Sequence, residues 1–244
     1  MNIEYDERRS DSPYVERIWR TQSANSSLFT SLAISHWFIV FWQQYGKNNI
    51  AIHGPETRAI VADIPEYADF LGVVFKHGTF MPDFPINQRV NSEVALPEAG
   101  SKSFWLNGSA WQFPDYDNID TFINRLVKRD LLIREPIVDA AFHGQLPDLS
   151  SRSIQRRILR ATGLTYNTIR QIERARKATI LLQQGVSILD TVYQTGYSDQ
   201  SHLTRSFKHF IGQTPSRIAD ISKREQLSFL FKTTDTLMHY DAYK

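Results

Sequence analysis

The sequence predicts an α+β chain in two parts: a β-rich barrel or sandwich over residues 1–115, then an all-α part over 116–222 held together by a long linker helix. A tail follows over 223–244. Three observations point to this division. Short β-branched and aromatic runs fill the first 114 residues, apolar residues recur at helical spacing from Asn118 onward, and eight of the ten prolines precede residue 140. With 244 residues and 41% hydrophobic content, each part is long enough to bury its own core.

The β elements are read from runs bounded by Gly, Pro and Asn: His36 to Gln44, Asn48 to Gly54, Arg58 to Ile64, Phe70 to Gly78 and Ser92 to Gly100. Trp19, Trp37, Phe38, Phe41, Trp42, Trp105 and Trp111 all lie in this part, where they suit a core and, for a few of them, a small-molecule pocket. The first helix runs from Asn118 to Leu132, capped by Asn118 or Asp120, with Ile119, Phe122, Ile123, Leu126 and Val127 on one face. It is the sizeable connection between the halves and could also pair two copies.

Beyond Asp130 the pattern sharpens. Pro136 starts a short helix that buries Ile137, Val138, Ala140 and Ala141 and ends at Gly144. Ser150 or Ser151 caps the next helix, which buries Ile154, Ile158 and Leu159, turns Arg152, Gln155, Arg156 and Arg160 outward, and stops at Gly163. A long helix from Thr168 to Gly185 offers Ile169, Ile172, Ala175, Ile180 and Leu181 for packing. The short-then-long arrangement then repeats: Ile188 to Gln194, a turn over 195–197, and a helix from about Gln200 to Phe210 capped by Asp199 or Ser198. Leu203, Phe207 and Phe210 face inward there, and Ser201, His202, Arg205 and His209 outward.

Charge follows the same division. Residues 1–149 carry 13 Lys+Arg and 19 Asp+Glu, residues 150–220 carry 11 and 4, and the last 24 carry 4 and 3, giving −6, +7 and +1. A basic block beside an acidic one is the footprint of a nucleic-acid-binding module joined to something else. A short helix, a turn and a second helix with Arg and Gln near its N-terminal end meets the requirements of a helix-turn-helix. The second helix enters the major groove, where Arg pairs with guanine and Gln with adenine. Two such units on one side of a duplex would read an asymmetric site about one turn, ~34 Å, apart.

Residues 130 to 221 resemble the DNA-binding domain of the AraC/XylS transcriptional regulators. The match includes Arg152, Ile154-Gln155-Arg156, Thr162-Gly163, Arg174, Ala178, Leu181-Leu182, Gly196-Tyr197, Asp199, Arg205, Phe207-Lys208, Gly212 and Thr214-Pro215. The resemblance implies base or nearby phosphate contacts for Arg152, Gln155, Arg156 and Arg160 in one groove segment and for Ser201, His202 and Arg205 in the next. Thr204 and Lys208 would rest on the backbone, and Arg174 would be a structural ion-pairing position. The chain departs from the family in a first turn about three residues longer, with Pro147, in Thr191-Val192, and in Leu203. The implied partners are double-stranded promoter or operator DNA and RNA polymerase, with a small-molecule effector and a homodimer also in view.

The N-terminal runs resemble the cupin-like sensor that often precedes this domain. A cupin enzyme would show H-x-H, a Glu and a later His around one metal; His36, His53 and His77 stand isolated in the sequence instead. No catalytic residue, metal or cofactor is assigned. The alternative is a small-molecule-modifying enzyme domain fused to the DNA reader; the version that transfers alkyl groups to cysteine is opposed by a chain with no cysteine. No apolar run approaches the ~20 residues of a membrane span, and the charged first 20 residues lack a signal-peptide core, so the expected location is the cytoplasm.

Overall fold

The computed structural model describes residues 5–100, 102–142, 144–145 and 149–220. The expected tail over 223–244 and Pro147 lie outside them. The strands are β1 (Tyr5–Arg8), β2 (Val15–Ser23), β3 (Ser27–Ser31), β4 (Phe38–Gln44), β5 (Lys47–His53), β6 (Ile60–Ile64), β7 (Ala68–Phe75), β8 (Thr79–Phe80), β9 (Glu93–Ala95), β10 (Glu98–Gly100), β11 (Ser103–Leu106), β12 (Ser109–Gln112) and β13 (Ile133–Arg134). The helices are α1 (Ile119–Lys128), α2 (Pro136–Phe142), α3 (Ser151–Thr162), α4 (Tyr166–Gln183), α5 (Ile188–Thr195), α6 (Gln200–Phe210) and α7 (Pro215–Ala219). The N-terminal region is mostly sheet and the C-terminal region helical, as the sequence predicts.

Six antiparallel strands form the main sheet in the order β1-β2-β7-β4-β5-β9. It is open, with β1 and β9 at its edges. One face carries Ile18, Val73, Ile39 and Ile52 in register, and the next row on that face carries Leu71, Phe41 and Ile50. All seven are buried in one cluster with Phe104, Trp111 and the apolar side of α1. Phe122 meets Phe41, Phe104 and Trp111 edge-on, at centroid distances of 5.7, 6.1 and 5.6 Å. The helix expected to connect the halves is therefore part of the sheet's own core.

α1 is also shorter than its sequence pattern. It ends at Lys128 because Asp130 turns left-handed (φ 54°), and Leu131 N–H closes back on the Leu126 carbonyl at 3.0 Å. Leu132 is buried beyond that turn, and Val127 is only half-buried. Asn118 precedes the helix without capping it; its Oδ1 accepts instead from Asp115 N–H. Of the tryptophans, Trp19, Trp37 and Trp111 are buried, whereas Trp105 is exposed. His36 and His77, isolated in the sequence, are buried with their ring centroids 3.8 Å apart and the rings tilted by 31°, and His77 also faces Phe142 of α2.

By compactness the chain forms two units. Among the described residues, one unit comprises those of 5–27, 36–55 and 64–165, and the other those of 28–35, 56–63 and 166–220. The first thus contains the main sheet, α1, α2 and α3. Its strand pair β8–β13 and the Glu135 N–H to Gly78 carbonyl bond (2.8 Å) lead directly into α2. The second contains α4 to α7 with the two segments that carry most of β3 and β6. Within it, Ala33 N–H donates to the Phe210 carbonyl, Ala59 N–H to that of His209, and Ser35 Oγ to the buried Glu173 carboxylate.

Gly72 lies opposite Trp19 on β2, and a Cβ built there would fall 2.0 Å from the indole. Because the indole is itself buried, Gly72→Ala is expected to destabilise the chain by about 1–3 kcal/mol through overpacking. Urea unfolding of the full chain followed by tryptophan fluorescence measures this, and an unchanged midpoint would show that the indole has room to move.

Candidate nucleic-acid interface

The two candidate reading helices are built by local rules. Ser150 caps α3 by accepting from Ser153 N–H, and Gly163, left-handed at φ 77°, closes it. Ile154, Ile158, Ala161 and Thr162 are buried, while Leu159, expected inside, is 41% exposed. The inward stripe is thus narrower than the sequence pattern, because Ala161 and Thr162 take the place of Leu159 at the end of the helix. Arg152, Gln155 and Arg156 are exposed at a 3–4 spacing, hence on one side of α3. Among the described residues none of the three side chains has a hydrogen bond or ion pair.

Arg160 differs from them. Its guanidinium lies over the Phe80 ring at 5.5 Å, on β8. Its neighbour Arg157 pairs with Glu135 at 3.4 Å. The C-terminal end of α3 is therefore fastened to its own unit, and Gly163 sits close to Ile86 in the 3₁₀ turn Ile86–Gln88. The N-terminal end, with Arg152, Gln155 and Arg156, keeps its polar groups uncommitted.

The second helix pair is complete in the structure. Ser187 caps α5 by accepting from Asp190 N–H, and Gly196 ends it at φ 68°. Asp199 then caps α6 through a 2.7 Å bond from His202 N–H. Arg174 of α4 holds the turn between them: its guanidinium lies 4.2 Å from the Tyr197 ring centroid and reaches the Gly196 carbonyl at 3.4 Å. Its partners are a ring face and a carbonyl; no carboxylate pairs with it among the described residues. Tyr197, whose hydroxyl lies 2.7 Å from Ser206 Oγ, has its pKa raised by burial. Thr191 is wholly buried and Val192 half-buried, so the threonine occupies the tight position.

On α6, Leu203, Phe207 and Phe210 are buried as expected. Ser201, Arg205 and Lys208 are exposed, and His202 and Thr204 half-buried. Ser198 Oγ contacts His202 Nδ1 at 3.1 Å and the Tyr197 ring meets the imidazole edge-on, which orients the imidazole. The Thr204 hydroxyl donates to the Gln200 carbonyl within the helix. α4 buries Ile169, Ile172, Ala175, Ala178 and Leu182, leaving Ile180 and Leu181 half-buried; it also buries Arg176, which donates to the Ala33 carbonyl at 3.1 Å.

A tandem helix-turn-helix is the class this geometry defines. Residues 148–220 match the family model described as "Helix-turn-helix domain". Two curated relatives, each named "HTH-type transcriptional regulator RipA", are similar over 72 residues: 39% identical in Corynebacterium diphtheriae and 33% in Corynebacterium glutamicum. That stretch is 30% of this chain and 22% of each relative, so the chain spans about a fifth of their length. No solved structure matches the chain. Residues 148–220 are an AraC-type helix-turn-helix domain. Among the described residues no helix is long and apolar enough to cross a membrane.

The Asp199 cap carries a pH signature. The His202 N–H bond, then Ser198, hold its carboxyl below the ordinary aspartate value of 3.8. A depressed carboxyl stabilises the fold fully above its unfolded pKa, and that contribution is lost as pH falls through the folded value. Asp199→Asn is therefore expected to flatten the acid limb of stability below about pH 4, read by thermal unfolding of wild type and variant across that range. Parallel acid limbs in the two proteins would show that the charge does not matter at the cap.

Proposed function

We propose that the chain is a one-component, sequence-specific DNA-binding transcriptional regulator of the AraC/XylS kind, a binding protein and not an enzyme. Residues 116–222 act as its reader. The cupin-like β-rich residues 1–115 sense a small molecule or pair two copies. The observation that carries the reading is the set of polar groups that α3 and α6 present outside their buried stripes. Arg152, Gln155 and Arg156 on one helix, and Ser201, His202 and Arg205 on the other, lie on capped helices of an AraC-type domain in a stretch of net charge +7. Operator DNA and RNA polymerase are the partners, in the cytoplasm.

Arg160 is assigned a lesser part, since its guanidinium already rests on Phe80. Thr204 and Lys208 are assigned to phosphates: the threonine hydroxyl, which donates to the Gln200 carbonyl in the free protein, would turn its proton to a phosphate oxygen, and the lysine stands at the last turn of α6. Phosphate neutralisation releases counterions, so affinity falls steeply with salt.

The test uses the full chain and a selected duplex, followed by fluorescence anisotropy. Gln155→Ala and Arg156→Ala are expected to relax base preference at one end of the site, and His202→Ala and Arg205→Ala at the other, each by about 1–3 kcal/mol. Lys208→Ala weakens all sequences alike. The same uniform loss in all five variants would reduce these residues to electrostatic contacts, and salt-independent binding would overturn the reader itself.

A further inference from the structure

The core face of the main sheet changes character at one end. Its rows run Ile18, Val73, Ile39, Ile52, then Arg20, Leu71, Phe41, Ile50, then Gln22, Asp69, Gln43, Asn48, each in register across β2, β7, β4 and β5. Successive rows are two residues apart and so share a face. The third row opens on a cleft of about 860 Å³ whose floor includes Phe41 and Leu71 and whose wall includes Phe113 and Tyr116. An apolar floor with a few convergent polar groups is the usual make-up of a small-molecule site.

The charges on this cleft are unevenly committed. Arg20 is held by Asp6 at 2.8 Å and stacked on Tyr116 at 4.3 Å. Asp115 Oδ1 accepts the N–H groups of Asp117 and Asn118. Gln43 and Asn48 bond one another at 3.0 Å. Asp69 and Lys102 also line the cleft, and among the described residues neither side chain has a hydrogen bond or ion pair. An unpaired acid and an unpaired base on one concave surface suit a ligand carrying both opposite charges.

We propose that this cleft binds a zwitterionic amino acid, its ammonium on Asp69, its carboxylate on Lys102, and its apolar side chain on Phe41, Leu71 and Phe113. The proposal names the effector class for the sensor half of the reading above. Binding is measured without DNA, so its failure leaves the reader's own test untouched.

The experiment is calorimetric titration of the full chain with L-phenylalanine, L-leucine and L-glutamine, against 2-phenylethylamine, 3-phenylpropionate and D-glucose. At least one amino acid is expected to bind about tenfold or more tighter than the singly charged analogues. Asp69→Asn and Lys102→Gln, both at exposed positions, should each erase that advantage while leaving the circular dichroism spectrum unchanged. In Asp69→Asn, 3-phenylpropionate should bind as it does to wild type; in Lys102→Gln, 2-phenylethylamine should. No amino acid binding in the millimolar range, tighter binding of glucose, or equal binding of zwitterion and analogues would overturn the proposal. So would folded variants with unchanged affinity.

Discussion

Thr79 is the residue on which the first compact unit turns. It is wholly buried, yet each of its polar groups is satisfied: N–H to the Lys76 carbonyl, Oγ1 to the Tyr14 carbonyl, and its own carbonyl to the Trp37 indole at 2.6 Å. It also pairs with Arg134 across β8–β13. Leaving one such buried group unsatisfied costs about 1–3 kcal/mol, so the two-residue strand is pinned far more firmly than its length suggests. Phe80, the other residue of β8, pairs with Ile133 and carries Arg160 on its ring. One short strand thereby joins the sheet core to the first helix-turn-helix.

That junction gives the proposed regulator a physical route. β7 has Asp69 and Leu71 at the cleft end, and the chain continues from Phe75 through His77 to Thr79 at the other. At about 3.3 Å per residue the strand is a short stiff strut, hydrogen-bonded on both sides by β2 and β4. A ligand shifts a DNA-binding equilibrium only through differential affinity for two states, typically about 1–3 kcal/mol. The strut and the β8–β13 pair form a contiguous packed path from cleft to α3. α1, by contrast, is locked among Phe41, Phe104 and Trp111 and is poorly suited to be a hinge.

Much of the helical half was legible because local rules decide it. Ser150, Asp199, Gly163 and Gly196 mark helix ends by capping chemistry alone, and Leu203, Phe207 and Phe210 follow the helical period. The sheet was legible only in part. Residues 15–23 of β2 mix Arg17, buried, with Ile18, Trp19 and exposed Arg20, so no clean alternation announces a strand. Both sides of that strand are covered, which removes the period-two signal. The His36–His77 ring contact and the cleft were illegible for another reason. Gln22, Asp69, Gln43 and Asn48 are ordinary polar residues near strand ends, and only the pairing register sets them in one row.

The edges of the open sheet bear on how this chain behaves outside its native fold. β1 shields β2, and its own side chains include Asp6, Glu7 and Arg8, while β9 at the far side has only three residues. Charge and brevity are the ordinary protections against strand-to-strand association. Stripping β1 away would bare the backbone of β2 beside Ile18 and Trp19, a template for adding strands from other molecules. Residues 5–8 thus guard the backbone of β2, and their loss would favour strand-to-strand association between molecules.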